Sequence, residues 1–304
     1  MKTFLFLILL ILLNACGSSP KVQEQPEFSP DIEKEFSYIE NSDFEVVKPA
    51  NFQLENDIHP GVDDEGIPAQ ETIAVLPDSQ IEKASMADDP LTRIISYCYQ
   101  RNFQKSAQEI DKNYKKYLKH PAFWNTVGNC FMLQKKPRAA LLYYNKAREV
   151  KIDYAPSISN IGVVYAMKNQ LQKALAAFER ASQIRPGSLV PRLNATSVYL
   201  KYHQYEKAIS LLIPFANRFS KSRALNEILA TAYLLKGEFS TSVKYYKRMD
   251  RDIFKKSLAG INYGLALGMS GEKSDALDIL EKMDAAFLNK YEKYYAKVKE
   301  FLKQ

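Results

Sequence analysis

A chain of 304 residues is long enough for two domains, but its net charge of +7 is unevenly distributed. Residues 17–86 contain four lysines and sixteen acidic residues, a net charge of −12, whereas residues 87–304 contain 37 basic and 19 acidic residues, a net charge of +18. This asymmetry excludes one uniform domain and divides the chain into a short N-terminal segment, an acidic segment and a basic segment.

The N-terminal segment has the features of an export signal. Lys2 precedes an apolar run over 4–13, and the run ends in Leu13-Asn14-Ala15-Cys16. As a helix this run would span about 15 Å, roughly half of the hydrocarbon core of a bilayer, which argues against a permanent transmembrane helix. The residues before Cys16 resemble the lipobox of bacterial lipoproteins. The resemblance implies a signal peptide over 1–15 and an acylated Cys16; the alternative is a secreted protein cleaved near Ala15.

The same resemblance has a consequence for localisation. In that family, aspartate directly after the lipidated cysteine retains the protein at the inner membrane. Gly17 stands in that place here. The resemblance therefore implies a protein that is lipid-anchored in the bacterial outer membrane and faces the periplasm.

The acidic segment, 16–86, predicts a disordered tether. It has no persistent apolar period, and its high net charge leaves few residues for a core. A flexible coil of this length reaches about 45–50 Å root-mean-square, and self-repulsion extends it further. It also contains seven of the prolines of the chain: Pro20, Pro26, Pro30, Pro49, Pro60, Pro68 and Pro77.

The basic segment contains an internal repeat of 34 residues. Gly128 and Gly162 are one period apart, and Ala140, Ala174 and Ala208 keep the same interval. Six units align without any insertion, followed by a last segment over 291–304. The units are 87–120, 121–154, 155–188, 189–222, 223–256 and 257–290.

The aligned columns predict pairs of closely packed helices. Two columns hold small residues in most units, at the eighth and twentieth places, and the twenty-fourth place holds a large apolar residue. Small residues allow two helix backbones to approach, and large ones fill the space beside them. The eighth place holds Ile94, Gly128, Gly162, Thr196, Ala230 and Gly264, and the twenty-fourth holds Ile110, Tyr144, Phe178, Leu212, Tyr246 and Leu280.

These residues resemble the tetratricopeptide repeat (TPR). The second unit carries the pattern as Trp124, Val127-Gly128, Phe131, Ala140, Tyr144 and Ala147. The resemblance implies an all-α fold: a right-handed TPR superhelix, or α-solenoid, of six helix-turn-helix repeats plus a C-terminal capping helix over 291–304. We expect turns at Gly237 and Gly271, and a kink at Pro214 because proline removes one helical hydrogen bond.

Cys98 and Cys130 are predicted to lie inside helices of neighbouring repeats. An oxidising periplasm would permit a disulfide between them. The geometry of a bridge between two helices is demanding, which favours the interpretation that both are buried free thiols.

No catalytic constellation is evident. The three histidines, His59, His120 and His203, are far apart, and no metalloprotease, hydrolase or phosphate-binding motif occurs. The sequence therefore predicts a protein that is not an enzyme and that has neither a metal nor a cofactor. An enzyme whose polar pair is assembled only by folding is the alternative.

The TPR resemblance implies that function lies in the groove lined by the first helix of each repeat, mainly at its second, fifth, ninth, twelfth and thirteenth places. Asn129 and Asn160 match the asparagine pair with which TPR clamps hold a peptide backbone. Asn125 replaces the lysine of the clamp, so recognition of a C-terminal carboxylate is not expected. The predicted partner-binding residues are Asn125, Asn129, Met132, Asn160, Val163, Met167, Asn194, Ser197 and Lys201.

The predicted function is a membrane-tethered scaffold that binds a protein or peptide in its groove. A TPR lipoprotein is similar to the pilotins, which help type IV pilus secretins to assemble; the alternative is a long-reach adaptor that links a cell-wall or motility complex to the outer membrane. The basic repeats also suit an acidic protein surface or anionic lipid. Nucleic acid is not expected as a partner of an exported protein.

Overall fold

The computed structural model describes residues 78–303, and within that range every regular element is a helix. After α1, Asp78–Ser85, six antiparallel pairs follow, each made of a helix A and a helix B. Each helix A packs on its own helix B, and each helix B packs on the next helix A. The pairs are α2 Pro90–Tyr99 with α3 Phe103–Tyr117, α4 Pro121–Leu133 with α5 Pro137–Val150, α6 Ala155–Met167 with α7 Leu171–Ile184, α8 Val190–Lys201 with α9 Tyr205–Leu212, α10 Arg223–Lys236 with α11 Phe239–Tyr246, and α13 Leu258–Met269 with α14 Lys273–Glu281; α12 Arg251–Lys255, α15 Ala285–Leu288 and α16 Glu292–Lys303 complete the chain.

The turn from helix A to helix B has the same conformation in all six pairs. In each turn, the amide of the first residue after the left-handed position donates to the carbonyl five residues earlier, at 2.8–2.9 Å, which closes the end of helix A. Four of the left-handed residues carry a side chain despite a cost of about 1–2 kcal/mol there. The left-handed residues have φ between 57° and 92° and recur every 34 positions: Arg101, Lys135, Asn169, His203, Gly237 and Gly271.

Helix A and helix B approach most closely at the eighth place of the repeat. A Cβ atom added to Gly128 would lie 2.4 Å from the ring of Tyr144. The corresponding distances are 2.6 Å from Gly162 to Phe178 and 2.8 Å from Gly264 to Leu280. The large residue of the twenty-fourth place thus occupies the space that the glycine leaves, and the predicted packing of small against large residues is confirmed.

Helix B is shorter in the last three repeats than in the first three. Pro214 was expected to kink its helix; instead α9 ends at Leu212 and continues as a 3₁₀ turn over Ile213–Phe215. In the fifth and sixth repeats, α11 and α14 are followed by Asp250 and Asp284, which are also 34 residues apart. Each of these aspartates accepts a backbone amide hydrogen bond, at 3.0 and 2.9 Å, and so starts a new short helix.

The two ends of the array are covered by additional helices. At the C-terminal end, Val298 and Leu302 of α16 are buried, and a Cβ added to Gly268 would lie 2.1 Å from Leu302. The predicted capping helix is therefore confirmed. At the N-terminal end, α1 packs against α2 and buries Ile81.

Helix α1 corrects the prediction of a disordered tether over 16–86. Residues 78–85 are helical because Ile81 finds an apolar partner surface on the first repeat, whereas eight residues alone would be marginal as a helix. The predicted signal peptide, Cys16 and the tether as far as residue 77 lie outside the described residues.

The prediction that Cys98 and Cys130 are free thiols is wrong. They form a disulfide that joins α2 to α4, with their Cα atoms 5.3 Å apart, inside the range that a bridge requires. The two helices A lie side by side, and both cysteines belong to the same buried apolar cluster. The hydroxyl of Ser106, on α3, lies 2.8 Å from Cys98 Sγ and completes the surroundings of the bridge.

The disulfide should contribute strongly to stability. It spans 32 residues, and closing a loop of this size in the unfolded chain is worth about 3–4 kcal/mol. Replacing both residues, Cys98→Ser with Cys130→Ser, should lower the free energy of unfolding in urea by about that amount. Reductant should reproduce the loss in the wild type and leave the double variant unchanged. Reaction of Cys98 and Cys130 with maleimide in the unreduced, denatured protein would contradict the bridge.

The close approach at the eighth place should be sensitive to a single methyl group. Gly128→Ala should destabilise the chain by about 1–3 kcal/mol, because overpacking displaces Tyr144. Gly187 is the matched control, since its added Cβ meets only the Arg218 guanidinium, 3.9 Å away. Gly187→Ala should be neutral or stabilising by about 0.4–1 kcal/mol. Urea unfolding monitored by circular dichroism measures the stability of both variants. Equal midpoints would argue against the close contact of Gly128 with Tyr144.

Candidate functional site

The nine predicted groove residues lie on three successive A helices. Each helix contributes three of them, from the second, third and fourth repeats. Those on α4 are Asn125, Asn129 and Met132; those on α6 are Asn160, Val163 and Met167; those on α8 are Asn194, Ser197 and Lys201.

Three of the predicted asparagines form a hydrogen-bond network between the second and third repeats. The side-chain amide of Asn160 donates to Oδ1 of Asn125 at 2.9 Å and to Oδ1 of Asn129 at 3.0 Å. Two hydroxyls add to it: Ser157 donates to Asn125 at 3.1 Å, and Tyr144 donates to Asn129 at 2.8 Å. The network therefore joins α4, α5 and α6 through side chains alone.

Burial gives this network its strength. Asn129 and Asn160 have no exposed surface, and Asn125 is 1% exposed. Burial also raises the pKa of Tyr144 well above its ordinary value, so its hydroxyl stays protonated and remains a donor. Since a buried acceptor without a donor is costly, the amide of Asn160 fixes how two repeats pack on each other.

Ser157 and Tyr144 were not predicted as members of the site. The repeat pattern predicts Tyr144 only as the large residue that packs beside Gly128, because the 34-residue period carries no information on the position of its hydroxyl. Ser157 stands one turn before Asn160 on the same helix, which is the only signal that could have identified it.

The remaining predicted residues differ in how accessible they are. Val163, Met167 and Asn194 are buried, Met132 and Ser197 are half-buried, and Lys201 is exposed. The hydroxyl of Ser197 donates to the carbonyl of Leu193 within its own helix. The binding role of the nine residues stays a prediction; Met132, Ser197 and Lys201 are the ones whose side chains are at least partly exposed.

Exposed apolar residues occur in the last two repeats. Leu235 and Met269 are 49% and 40% exposed, and both occupy the thirteenth place, one period apart, at the ends of α10 and α13. Large apolar side chains with this exposure provide adaptable contact surface. The thirteenth place is thus basic at Lys201 and apolar in the two repeats that follow.

Basic residues dominate the second to fourth repeats. Residues 121–222 contain 15 basic and 4 acidic residues, whereas residues 223–290 contain 11 and 9. Of the four acidic residues, Glu179 accepts a hydrogen bond from the hydroxyl of Tyr199. Burial, reinforced by this carboxylate, raises the pKa of Tyr199 to about 12. The electrostatic field of these repeats is therefore positive.

No metal-binding cluster is found within the described range. Across 78–303, no three His, Cys, Asp or Glu side chains come together in a way that could hold a metal ion. In the same range, no helix has the length and apolar character needed to cross a membrane.

Comparison with known proteins shows which proteins this chain is similar to. No family model matches the chain. Anaphase-promoting complex subunit 6 of Arabidopsis thaliana is 26% identical over 136 residues, 44% of this chain and 25% of that protein. The BBSome complex member BBS4 of Bos taurus is 25% identical over 189 residues, 61% of this chain and 35% of that protein. The chain thus spans about a quarter to a third of the length of these curated relatives.

A solved structure decides the fold. The APC/C hetero-tetramer Cut9–Hcn1 matches with a TM-score of 0.54 and 15% identity, over 74% of this chain and 46% of that chain. The described region is a TPR solenoid. The six TPR hairpins and the capping helix are those expected from the 34-residue period, and the TPR fold places helix A of each repeat beside helix A of the next.

The asparagine network should depend on the donor that Asn160 supplies. Asn160→Asp keeps the shape but replaces the amide by a third acceptor beside two others, so it should destabilise the protein by about 1–3 kcal/mol. Asn262 is the matched control at the same repeat position, where Oδ1 accepts from the hydroxyl of Tyr294 at 2.9 Å. Asn262→Asp keeps that acceptor and should cost clearly less. Urea unfolding measures the difference, and similar losses would count against the network.

Proposed function

We propose that this chain is a non-enzymatic protein-interaction scaffold, tethered to the bacterial outer membrane by a lipid on Cys16. The TPR solenoid carries the proposal, because stacked helix pairs provide an extended surface built from helix A of successive repeats. The partner is a protein or peptide that binds along the groove, where Lys201 and the half-buried Met132 are accessible.

The similar proteins support a role in an assembly. Anaphase-promoting complex subunit 6 and the BBSome complex member BBS4 are both named as parts of multi-protein complexes. A scaffold with more than one contact surface along its length suits such a role. At the thirteenth place of the repeat, Lys201 is basic and Leu235 and Met269 are apolar, so a partner could be contacted through two kinds of chemistry.

The disulfide supports an exported location. Bridges such as Cys98–Cys130 persist in oxidising compartments and are rare where the glutathione system keeps thiols reduced. The sequence before Cys16, which resembles a lipobox, independently favours export into the bacterial envelope. Both observations favour export, and Gly17 after Cys16 favours the outer membrane within the lipobox resemblance.

Within this class, we propose that the chain assists the assembly of an envelope complex such as a type IV pilus secretin. The apolar positions Leu235 and Met269 would then hold a segment of the secretin subunit. The alternative is an adaptor that links a cell-wall or motility complex to the outer membrane. The number of residues in the acidic segment before Asp78 favours the adaptor, because a flexible segment of about 60 residues would reach roughly 43 Å.

Replacing the lipidated residue tests anchor and function together. In the native bacterium, Cys16→Ser should move the protein from the outer-membrane fraction to the soluble fraction and lower the amount of secretin multimer, since an assembly factor must act at the membrane. Fractionation followed by immunoblotting measures both. Protein that stays in the membrane would contradict the lipid anchor, and released protein with unchanged multimers would contradict the assembly role.

Shortening the tether separates the two proposed roles. Deletion of residues 20–77 keeps Cys16 and α1, and an assembly factor should retain its secretin multimers. An adaptor needs reach and should lose its function. Deletion of residues 20–77 is therefore harmless if the protein is an assembly factor and harmful if it is an adaptor.

A further inference from the structure

Exposed aliphatic side chains stand at the connections that lead into the first three helices A. Met86 and Ile152 are 77% and 78% exposed, and no other large apolar residue of the described range exceeds 49%. Leu118, which is 42% exposed, lies between them in the sequence. Met86 comes four residues before the start of α2, and Leu118 and Ile152 come three residues before α4 and α6. We call these three the edge residues.

The three connections lie at one edge of the array, because α2, α4 and α6 run side by side in the same direction. Near their C-terminal ends, Cys98 of α2 is bonded to Cys130 of α4. Near their N-terminal ends, the amide of Asn160 in α6 donates to Oδ1 of Asn125 in α4 at 2.9 Å. Since neighbouring helices pack about 8–10 Å apart, the edge residues form a row about 20 Å long.

Lysines surround the middle of this row. Residues 112–119, which include Leu118, contain four exposed lysines and no acidic residue. None of the four forms an ion pair with a carboxylate of the described residues, and Lys116 lies over the ring of Tyr117. Beside the two outer edge residues the charges are mixed, since Asp88 and Asp153 are exposed there. Positive charge is therefore concentrated at the centre of the row. The four lysines are Lys112, Lys115, Lys116 and Lys119.

We propose that this edge contacts the anionic surface of a lipid bilayer. Aliphatic tips such as Met86 and Ile152 would enter the boundary between head groups and acyl chains, and the lysines around Leu118 would attract lipid phosphates. A bilayer fits tips that stand on three separate connections, because lipid chains rearrange around each tip and no shaped partner surface is needed. The proposal rests on the membrane tether of the proposed function, and it adds a second contact that decides which edge of the array faces the lipid.

Contact at this edge leaves part of the predicted groove open to a protein partner. The edge residues stand before helix A begins, whereas Met132 is the twelfth of the 13 residues of α4. A helix of that length spans about 20 Å, so Met132 lies nearly one helix length from the edge. Lys201, the last residue of α8, stands at the same end of its helix as Met132. Lipid and a protein partner can therefore be bound at the same time.

The fluorescence of a single probe tests the contact. The full chain with Ile152→Cys takes an NBD label at that position, since Cys98 and Cys130 are joined and Cys16 is acylated under the proposed function. It is reconstituted into vesicles of phosphatidylcholine and phosphatidylglycerol that carry a doxyl quencher about 5–10 Å below the head groups, the depth that interfacial side chains reach. The matched control is Ile213→Cys, because Ile213 is 41% exposed and stands ten residues before the next helix A.

We expect quenching at position 152 to be at least about twofold stronger than at position 213. Absent quenching at position 152, or equal quenching at both positions, overturns the proposal. An emission shift that grows with protein concentration in detergent alone would assign the edge to a second copy and also overturn it. Mass spectrometry of Cys16 tests the anchor separately: an acylated chain without quenching loses only the edge contact, and a quenched chain with unmodified Cys16 loses only the anchor.

Two variants with the same loss of charge test whether the lipid must be anionic. In the chain labelled at position 152, Lys115→Gln with Lys119→Gln should lower quenching at least about twofold, because these amines lie beside the row and attract lipid phosphate. Lys273→Gln with Lys293→Gln removes two exposed lysines of the last repeat and α16, and should leave quenching unchanged. Vesicles of phosphatidylcholine alone should give the weaker quenching of the first variant. Equal effects of the two variants, or equal quenching in both kinds of vesicle, would overturn an anionic bilayer as the partner.

Discussion

The close contact of helix A with helix B is the constraint on which the rest of the structure depends. At the eighth place of the repeat, a small residue such as Gly128 lets the ring of Tyr144 lie against the helix backbone. Once that contact fixes how the two helices cross, the next helix A packs on the pair before it, against its helix B and, in the first two repeats, also against its helix A. A solenoid follows from repetition of one local contact, and each repeat is stabilised mainly by its neighbours.

Much of the fold could be predicted from the sequence because this contact leaves a periodic trace. The 34-residue spacing of glycines and large residues predicts the helix pairs, and the TPR resemblance implies the capping helix, in which Val298 and Leu302 are buried. The period does not predict which side chains on different helices meet. Cys98 and Cys130 stand at different places of their repeats, and the packing of α2 on α4 brings them together.

The candidate site, too, could be predicted from the sequence only in part. The sequence predicts which residues face the groove side of helix A, and the structure places all nine on successive A helices. The sequence could not predict that Asn160 donates to two other asparagines, because their burial depends on Tyr144 from another helix. An amide at a given register place can hold a peptide or hold two repeats together, and only its neighbours in space distinguish these roles.

The disulfide has a consequence for how the array responds to force. In a solenoid, a terminal repeat has a neighbour on one side only, so it opens first. The preceding 77 residues join the described region at α1, which packs on the first repeat. A pull transmitted through that segment reaches α1 and α2 before any other helix. Since Cys98 bonds α2 covalently to α4, fraying at this end cannot separate the first repeat from the second, and the smallest unit that can detach is a pair of repeats.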